Sequence, residues 1–230
     1  MLDPLKSLDE ILDGKILLVN KAKSWTSFDV VKKIKSTIKH KHNIPKIKIG
    51  HAGTLDPLAT GLLIVCTGKY TKKIAEIQEQ KKTYVGEIIL GKTTPSYDLE
   101  TKFDAYFPTQ HINKEMLIKA SKSFIGKIDQ IPPLYSALKI KGERLYKKAR
   151  RGERVKISSR KVEITDFILK DISIPKIQFE IVCSKGTYIR SIAYDFGKKV
   201  DSGAHLASLK RTKIGEYMLD DAFEINDLLN

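Results

Sequence analysis

The chain has 230 residues, of which 41% are hydrophobic, 30% charged and 8% aromatic, and its 42 Lys and Arg against 27 Asp and Glu give a net charge of +15. These values are typical of a globular chain and exclude a disordered or fibrous one. No apolar run approaches the roughly 20 residues of a membrane helix, and the acidic, amphipathic start differs from a signal peptide. We therefore expect one cytoplasmic domain over residues 1–230 that does not enter a membrane.

The positive charge is concentrated in two segments. Residues 21–51 contain nine Lys and one acidic residue, and residues 136–161 contain eleven Lys and Arg and two acidic residues. Because each cation placed at a phosphate releases condensed counterions, this concentration indicates a surface that binds a polyanion. A composition that is merely rich in lysine is the alternative interpretation.

The first third of the chain predicts two strands around a helix and then a buried strand. KILLVN (15–20) favours a strand, and TSFDVVKKIKSTIKH (26–40) favours a helix with Ser27 as its N-cap. The apolar face of that helix contains Val30, Val31, Ile34 and Ile38, and the other face is rich in lysine. KIKIGH (46–51) alternates like a strand and LLIVC (62–66) is typical of a buried one, so Asp56 is expected between two strands.

The rest of the chain mixes strands and helices without a regular βαβ alternation, which predicts the α+β class. The predicted strands are KTYVGEIILG (82–91), KVEITDFILKDI (161–172) and KIQFEIVC (176–183), and the predicted helices lie near NKEMLIKASKSFIG (113–126) and within SKGTYIRSIAYDFGKKV (184–200). Cys66 and Cys183 each end an apolar run, which predicts buried, reduced thiols.

One stretch, GEIILGKT (86–93), satisfies the pattern of a phosphate-binding loop. Such a loop needs a helix that begins at the lysine, whereas here the apolar residues continue a strand and Pro95 obstructs a helix. We therefore interpret the match as a coincidence.

The stretch GHAGTLDPLATGLL (50–63) places a single carboxylate, Asp56, in a loop rich in glycine. A carboxylate before proline commonly forms a turn by accepting local backbone hydrogen bonds. The glycines, however, would let a ligand approach the backbone closely, and an acid facing a polyanion is unfavourable for binding but tolerated for chemistry. On the residues alone, both interpretations stay open.

Two other residues suit a site built around this acid. A carboxylate beside a polyanion stays ionised with a cationic partner, best a guanidinium, and Arg190, which we expect one turn into a helix, offers one. Tyr84, on the strand after the loop, offers an aromatic plane on which a base could stack. The set contains no metal-ligand spacing and no nucleophilic Cys–His pair, so no metal is expected.

Four strings, in the order GHAGTLDPLATGLL, KKTYVG, IPPLYSALKIKGERLY and CSKGTYIR, closely resemble the TruB family of bacterial tRNA pseudouridine synthases, and the resemblance runs from about Gly14 to about Leu229. It implies the pseudouridine synthase fold, a mixed, mainly antiparallel sheet flanked by helices and loops, with an inserted basic thumb at 131–156. It also implies an isomerase that converts uridine to pseudouridine in the T loop (position 55) of tRNA without a cofactor. Many members carry a C-terminal RNA-binding domain of the PUA type, for which we expect no room here.

The resemblance also assigns roles to residues. Asp56 is the expected catalytic residue, as nucleophile or as a base that abstracts a ribose proton, with Tyr84 as the active-site tyrosine and Arg190 as the partner of Asp56. The expected RNA contacts are His51, which stacks in the remodelled RNA loop, Leu209 beneath the base, and Lys72, Asp98, Arg150, Arg151 and Tyr188. The expected partner is the T stem-loop of tRNA, bound by a monomer.

The chain departs from the family pattern at two places. An early Lys-Pro pair followed by Gly is here Lys21-Ala22 with Ser24, which weakens the support expected from this segment. A T-D-T-x-D-like stretch reads TTPSYD, which keeps Asp98 but puts Pro95 at the first Asp. The alternative function is a non-catalytic RNA-binding or tRNA-folding module, which the charge pattern alone would fit equally well.

Overall fold

A computed structural model of the chain describes residues 4–153 and 155–227. Arg154, inside the predicted thumb, and Leu229, near the end of the family resemblance, lie outside these residues. The described chain divides into two compact units: the first contains the residues up to Tyr84 and from Leu209 onward, and the second contains Val85–Ser208. The single domain expected from the sequence stays a prediction.

The elements follow one another in an irregular order. Up to the first unit boundary they are α1 (Leu8–Asp13), β1 (Ile16–Lys21), α2 (Ser27–Lys41), β2 (Ile49–His51), β3 (Thr60–Thr67) and α3 (Ile74–Glu79). The chain enters the second unit within β4 (Lys82–Leu90), which is followed by β5 (Lys92–Thr93), β6 (Ala105–Tyr106), α4 (Lys114–Lys122), β7 (Gly126–Gln130), β8 (Lys139–Ile140), β9 (Glu143–Arg144), α5 (Leu145–Arg150), β10 (Arg160–Ser173), β11 (Lys176–Cys183) and α6 (Ile189–Lys199). It returns to the first unit within β12 (Ala204–Ile214) and ends in β13 (Tyr217–Met218) and β14 (Phe223–Glu224).

In the first unit, β3 pairs with three other strands. It pairs antiparallel with β1 and with β2, and parallel with β12, while β14 pairs parallel with β1. The register sets Lys21 of β1 opposite Gly61 of β3, and Gly61 opposite Arg211 of β12. Two basic residues therefore lie on either side of a glycine that directly follows the Asp56 loop.

The predicted faces of α2 and β3 are confirmed. The four apolar residues of α2 are all buried and pack with one face of the sheet, where Leu63 and Val65 of β3 lie. Leu62, Ile64 and Cys66 pack in a second buried cluster, so β3 is covered on both sides, which explains its continuous apolar run. The predicted N-cap is wrong by one residue: Thr26 caps α2 in a capping box with Asp29, because its side chain reaches the N3 amide.

The second unit is built on an antiparallel sheet in which β10 pairs with both β7 and β11. A cluster of aromatic rings packs there, with Phe167 in contact with Phe124, Phe179 and Phe196. Within the predicted thumb, β8 and β9 form a hairpin that leads directly into α5. Antiparallel pairs dominate both units, so the predicted α+β class and mainly antiparallel sheet are confirmed.

Three smaller predictions are also settled. The chain continues as strand β4 through Leu90, which confirms that GEIILGKT is not a phosphate-binding loop. Cys66 and Cys183 are both fully buried, as expected. Among the residues described, no helix has both the length and the apolar character needed to cross a membrane.

Candidate active site

Asp56 lies half-buried in the loop between β2 and β3, as predicted. The carbonyl of Asp56 accepts a hydrogen bond from the Ala59 amide at 3.1 Å, so the residue does take part in a turn. Gly61 has a φ of +99°, and a Cβ atom there would lie 2.3 Å from the carbonyl oxygen of Arg211. The end of the loop therefore requires glycine, because the backbone of β12 packs directly against it.

The residue on each side of Asp56 is held by hydrogen bonds from outside the loop. The Leu55 amide donates to the hydroxyl of buried Ser27 at 2.8 Å, and this hydroxyl in turn lies 3.2 Å from the Leu55 carbonyl. The Pro57 carbonyl accepts from the Ser24 amide at 2.8 Å. Fixed backbone on both sides restricts where the carboxylate of Asp56 can point.

The segment that departs from the family pattern, Lys21 to Ser24, is thus in direct contact with the loop. Ser24 adopts a φ of +72°, the left-handed conformation that glycine takes without steric cost. Because Ser24 holds this conformation, its amide reaches Pro57, and the support that glycine would give is retained at some backbone strain.

Lys21 is fully buried, and its ammonium group donates to three backbone carbonyls. The acceptors are Trp25 at 2.7 Å, Ala22 at 3.0 Å and Pro57 at 3.4 Å. Burial lowers the pKa of Lys21 to about 8, and the negative charge of Asp56 partly opposes this shift. Lys21 is therefore both a brace for the loop and a nearby positive charge for the carboxylate.

Arg211 is the second buried cation at this loop. Its Nε donates to the Leu62 carbonyl at 2.8 Å and its Nη2 donates to the Gly53 carbonyl at 3.0 Å. Through these two hydrogen bonds, the guanidinium links the start of the loop, at Gly53, to β3, at Leu62. The guanidinium of Arg211 thus adds a second positive charge at this loop.

His51 ends β2 immediately before the loop. Its Nδ1 atom is buried and has no hydrogen-bond partner within the described part of the chain. Burial, and then the charge of Arg211, lower the pKa of His51, so the ring is neutral at pH 7. A neutral imidazole at this position has a flat face suited to stacking.

The remaining predicted residues of the first unit differ in burial. Tyr84 lies on β4 and is buried. Leu209 is half-buried on β12, and its carbonyl accepts from the Thr60 hydroxyl at 3.4 Å, beside the loop. Lys72 is exposed on the 3₁₀ helix Gly68–Lys73. The RNA contacts assigned to these residues stay predictions.

In the second unit, the structure brings Arg190 and Asp98 together. Arg190 is the second residue of α6, not one turn into it, and its Nε lies 3.6 Å from Oδ2 of Asp98. Its Nη1 donates to the carbonyls of Tyr135 at 2.9 Å and Ser96 at 3.2 Å. Because both charged side chains are buried, Asp98 serves here to hold Arg190, whatever RNA it also contacts.

The two arginines predicted to bind RNA in the thumb are already engaged in exposed ion pairs. Arg151 donates from Nη1 and Nη2 to the two carboxylate oxygens of Glu143, at 2.6 and 2.8 Å, and also pairs with Glu153. Arg150 pairs with Glu100 at 3.1 Å. Arg151 holds the pKa of Glu143 at about 2, well below its usual value. Such pairs are weak enough to exchange for phosphate, but they reduce the positive charge that the thumb presents.

Tyr188, predicted to bind RNA, precedes α6 as its N-cap residue. Its backbone exchanges two hydrogen bonds with the side-chain amide of Gln130, and the guanidinium of Arg160 lies 4.4 Å from its ring centroid. One face of the ring is therefore covered by a cation, and the RNA contact of Tyr188 stays a prediction.

Sequence reasoning missed two residues, Lys21 as a brace of the loop and Arg211 altogether. Lys21 was noted only within a departure from the family pattern, and Arg211 lies in a strand that the sequence did not predict. The available signal was the alternation in SLKRTKI, which places Leu209 and Arg211 on one face of a strand.

Comparisons with known proteins agree with this fold. A protein named tRNA pseudouridine synthase B from Flavobacterium johnsoniae is 55% identical over 218 residues, which is 94% of this chain and 95% of that protein. A protein of the same name from Parabacteroides distasonis is 50% identical over 223 residues, 96% of this chain and 95% of that protein. A chain in a solved Cbf5–Nop10–Gar1 complex superposes with a TM-score of 0.70 at 26% identity, over 98% of this chain and 56% of that one.

The fold is therefore that of the pseudouridine synthases, with an acid-bearing loop held between two of its strands. The family model described as "TruB family pseudouridylate synthase (N terminal domain)" matches residues 37–189, which include the Asp56 loop and the thumb and end at the first residue of α6. Together with the high identity to the two bacterial relatives, this match shows that the chain belongs to the TruB family.

Proposed function

We propose that this chain isomerises uridine to pseudouridine in the T loop of tRNA, with Asp56 as the catalytic residue. In this reaction the N1–C1′ bond breaks, the uracil turns, and C5 bonds to C1′; C5 then loses its proton and N1 gains one. No electron is transferred to another molecule, so the reaction needs no redox cofactor.

One observation carries the proposal: Asp56, the one acid of residues 50–63, is half-buried in a loop whose backbone is fixed on both sides of it. Ser27 holds Leu55, while Ser24 and Lys21 hold Pro57. A residue needed only to form a turn would not require buried groups from two other elements to fix its neighbours. A catalytic carboxylate would, because small displacements of a reacting group are costly to the rate.

The cations at the loop support an ionised Asp56. Lys21 attracts its charge, and Arg211 donates to the loop backbone. As a carboxylate, Asp56 acts either as nucleophile on the sugar or base, or as the base that removes a ribose proton. We propose in addition that Arg190 pairs with Asp56 and aims it.

The target base must leave the folded RNA loop to react, because its C1′ and C5 atoms are otherwise inaccessible. In this proposal Tyr84 stacks on the flipped uracil, Leu209 lies beneath it, and the neutral ring of His51 fills the gap left in the RNA. The phosphates of the T stem-loop are bound by Lys72, Arg150 and Arg151, with Tyr188 and Asp98 in the same contact surface. We also propose that the chain acts as a monomer in the cytoplasm.

The test is incubation with an unmodified tRNA transcript, followed by mapping of pseudouridine and separate measurement of tRNA binding. Wild type should form pseudouridine at one T-loop position. Asp56→Asn should abolish the reaction and keep tRNA affinity, because the amide retains the shape but loses charge and basicity. Asp9→Asn, at an exposed acid of α1, is the matched control and should retain full activity.

Two results would reject the proposal. Turnover by Asp56→Asn would remove Asp56 from the mechanism. Tight tRNA binding by wild type without any pseudouridine would instead favour the non-catalytic RNA-binding module.

A further inference from the structure

The exposed side of α2 borders an open groove of about 430 Å³. Its lining is Lys32, Lys35, Ser36, Lys39, His40 and, from the loop after the helix, Ile44. All of these residues belong to the first unit; those on α2 lie on the side away from the buried Val30 and Ile34, while Ile44 packs in part against the core cluster of these two residues. The groove is thus a basic channel with one apolar wall.

The lysines of this groove lie in no ion pair within the described residues, although the charge of Asp29 acts on Lys32 from a distance. Among the described residues, no carboxylate lies within 4.0 Å of the ammonium groups of Lys32, Lys35 or Lys39. The one acid of α2, Asp29, uses its carboxylate to accept from the Thr26 amide and hydroxyl, at 2.9 and 2.6 Å.

Several cations of the thumb differ from the groove lysines in that they have carboxylate partners within the protein. There Lys148, Arg150 and Arg151 all lie in ion pairs with glutamates. Cations without internal partners attract a polyanion more strongly than cations that must first give up a carboxylate. These three thumb cations are therefore partly neutralised, whereas the groove lysines of α2 lie in no such pair among the described residues.

The spacing of the lysines suits an extended chain of phosphates. Positions 32, 35 and 39 follow one another by three and four residues, so their side chains emerge on one side of the helix over about 10 Å. Ser36 adds a hydroxyl between them, and Ile44 offers an apolar surface for the face of a ribose. Mixed cationic, hydroxyl and apolar groups fit a sugar–phosphate backbone better than a small inorganic anion.

The helix also connects the groove to the Asp56 loop. Ser27, in the first turn of α2, holds Leu55, and Lys39 lies twelve residues later, about 18 Å along the axis. An RNA strand that leaves the loop along α2 would therefore meet the lysines in succession.

We infer that this groove binds the phosphodiester backbone of the substrate tRNA, as a contact surface separate from the thumb. The identity of the RNA as tRNA rests on the proposed function. The groove contributes affinity and the path of the RNA, and it takes no part in the chemical step.

The test compares two triple variants of equal charge. Lys32→Gln/Lys35→Gln/Lys39→Gln removes the groove lysines, and Lys33→Gln/Lys46→Gln/Lys48→Gln removes three exposed lysines of the same basic segment that do not line the groove. Binding of unmodified tRNA is measured from about 0.05 to 0.3 M salt, and single-turnover pseudouridine formation is measured at saturating tRNA. Circular dichroism confirms that both variants are folded.

The groove variant should bind tRNA roughly tenfold or more weakly near 0.1 M salt, and its log–log salt slope should fall by about 2 to 3, since each lost phosphate contact removes about 0.7 to 0.9. Its rate at saturation should match wild type. Equal losses in both variants would overturn the inference, because they would reflect bulk charge, and so would an unchanged slope in the groove variant. Binding is measured separately from turnover. If wild type binds tRNA without modifying it, the proposed function is rejected, but the comparison of tRNA binding between the two triple variants still tests the groove.

Discussion

The ammonium group of Lys21 lies 3.4 Å from the carbonyl oxygen of Pro57, the residue that follows Asp56. Lys21 thus fixes the backbone beside the acid and places a positive charge near its carboxylate. These effects differ physically, because the first needs a donor and the second needs only charge. Each leads to its own prediction.

Replacement of Lys21 by Met should loosen the loop. The carbonyls of Trp25, Ala22 and Pro57 would each lose a buried donor, which should lower the free energy of unfolding by about 1–3 kcal/mol. The single-turnover rate at saturating tRNA should fall roughly tenfold or more, because the field at Asp56 is lost. The control is Lys23→Met at an exposed position. Equal effects of both variants in urea unfolding and in turnover would show that burial of Lys21 has no special role.

The lowered pKa of Lys21 predicts a pH dependence of stability. Its pKa is about 8 in the folded chain and 10.5 in the unfolded one, so the unfolded chain binds more protons between these values. Stability from this group should therefore rise from pH 8 to pH 10.5 and be lost as pH falls through 8. The measurement is the difference in unfolding free energy between wild type and Lys21→Met from pH 7 to 10. A flat difference would mean that Lys21 titrates normally.

The parts of the site that the sequence predicted are those carried by local pattern. The apolar face of α2, the buried run of β3 and the position of Asp56 between two strands follow from periodicity over a few residues. The roles of Lys21 and Arg211 depend on strand register, which sets them on either side of Gly61 although Arg211 is 150 residues away in sequence. The alternation in SLKRTKI indicates a strand that carries Arg211, but it does not show which strand this one pairs with, so the position of the two cations beside Gly61 could not be assigned in advance.

The pairing state of the thumb arginines was unpredictable for a similar reason. The sequence shows Arg150 and Arg151 in a basic cluster, but Glu100, which pairs with Arg150, lies outside that cluster. Net charge counts do not reveal which cations are already neutralised. Geometry therefore adds what the charge counts lack, namely which of the thumb cations already lie in ion pairs.

Asp98 should act as a positioning residue for Arg190. Asp98→Asn leaves the buried guanidinium with less charge compensation, and breaking such a pair costs about 3–5 kcal/mol at most. The measurement is a double-mutant cycle with Arg190→Met, in which the stability losses should be clearly less than additive. Asp104→Asn, at an exposed acid nearby, is the control. Strict additivity would show that the 3.6 Å contact carries no coupling.

The substitution Arg190→Lys tests whether Arg190 orients the carboxylate of Asp56 or supplies only a positive charge. If Arg190 holds Asp56 as an aligned anion, lysine should keep most tRNA affinity and lose much of the rate, because an ammonium lacks the planar two-point grip. If Arg190 only contacts phosphate, affinity should fall modestly and the saturated rate should stay nearly normal. Single-turnover rate is measured against tRNA concentration for both proteins. A plateau rate within about twofold of the wild-type rate corresponds to a change of well under 1 kcal/mol in the activation free energy. Such a result would reject the ion-pair role.

The thumb ion pairs predict an unusual gain of affinity. Glu143 competes with phosphate for Arg151, so Glu143→Gln should strengthen tRNA binding if Arg151 contacts RNA. Arg151→Gln should weaken binding and reduce the log–log salt slope by about 0.7 to 0.9. In the double variant the gain from the Glu143 change should be smaller, because Lys148 is then the only ion-pair partner of Glu143 among the described residues that the change releases. If Glu143→Gln strengthens binding equally with and without Arg151, the gain comes from bulk charge, and Arg151 belongs to the solvated face of the thumb.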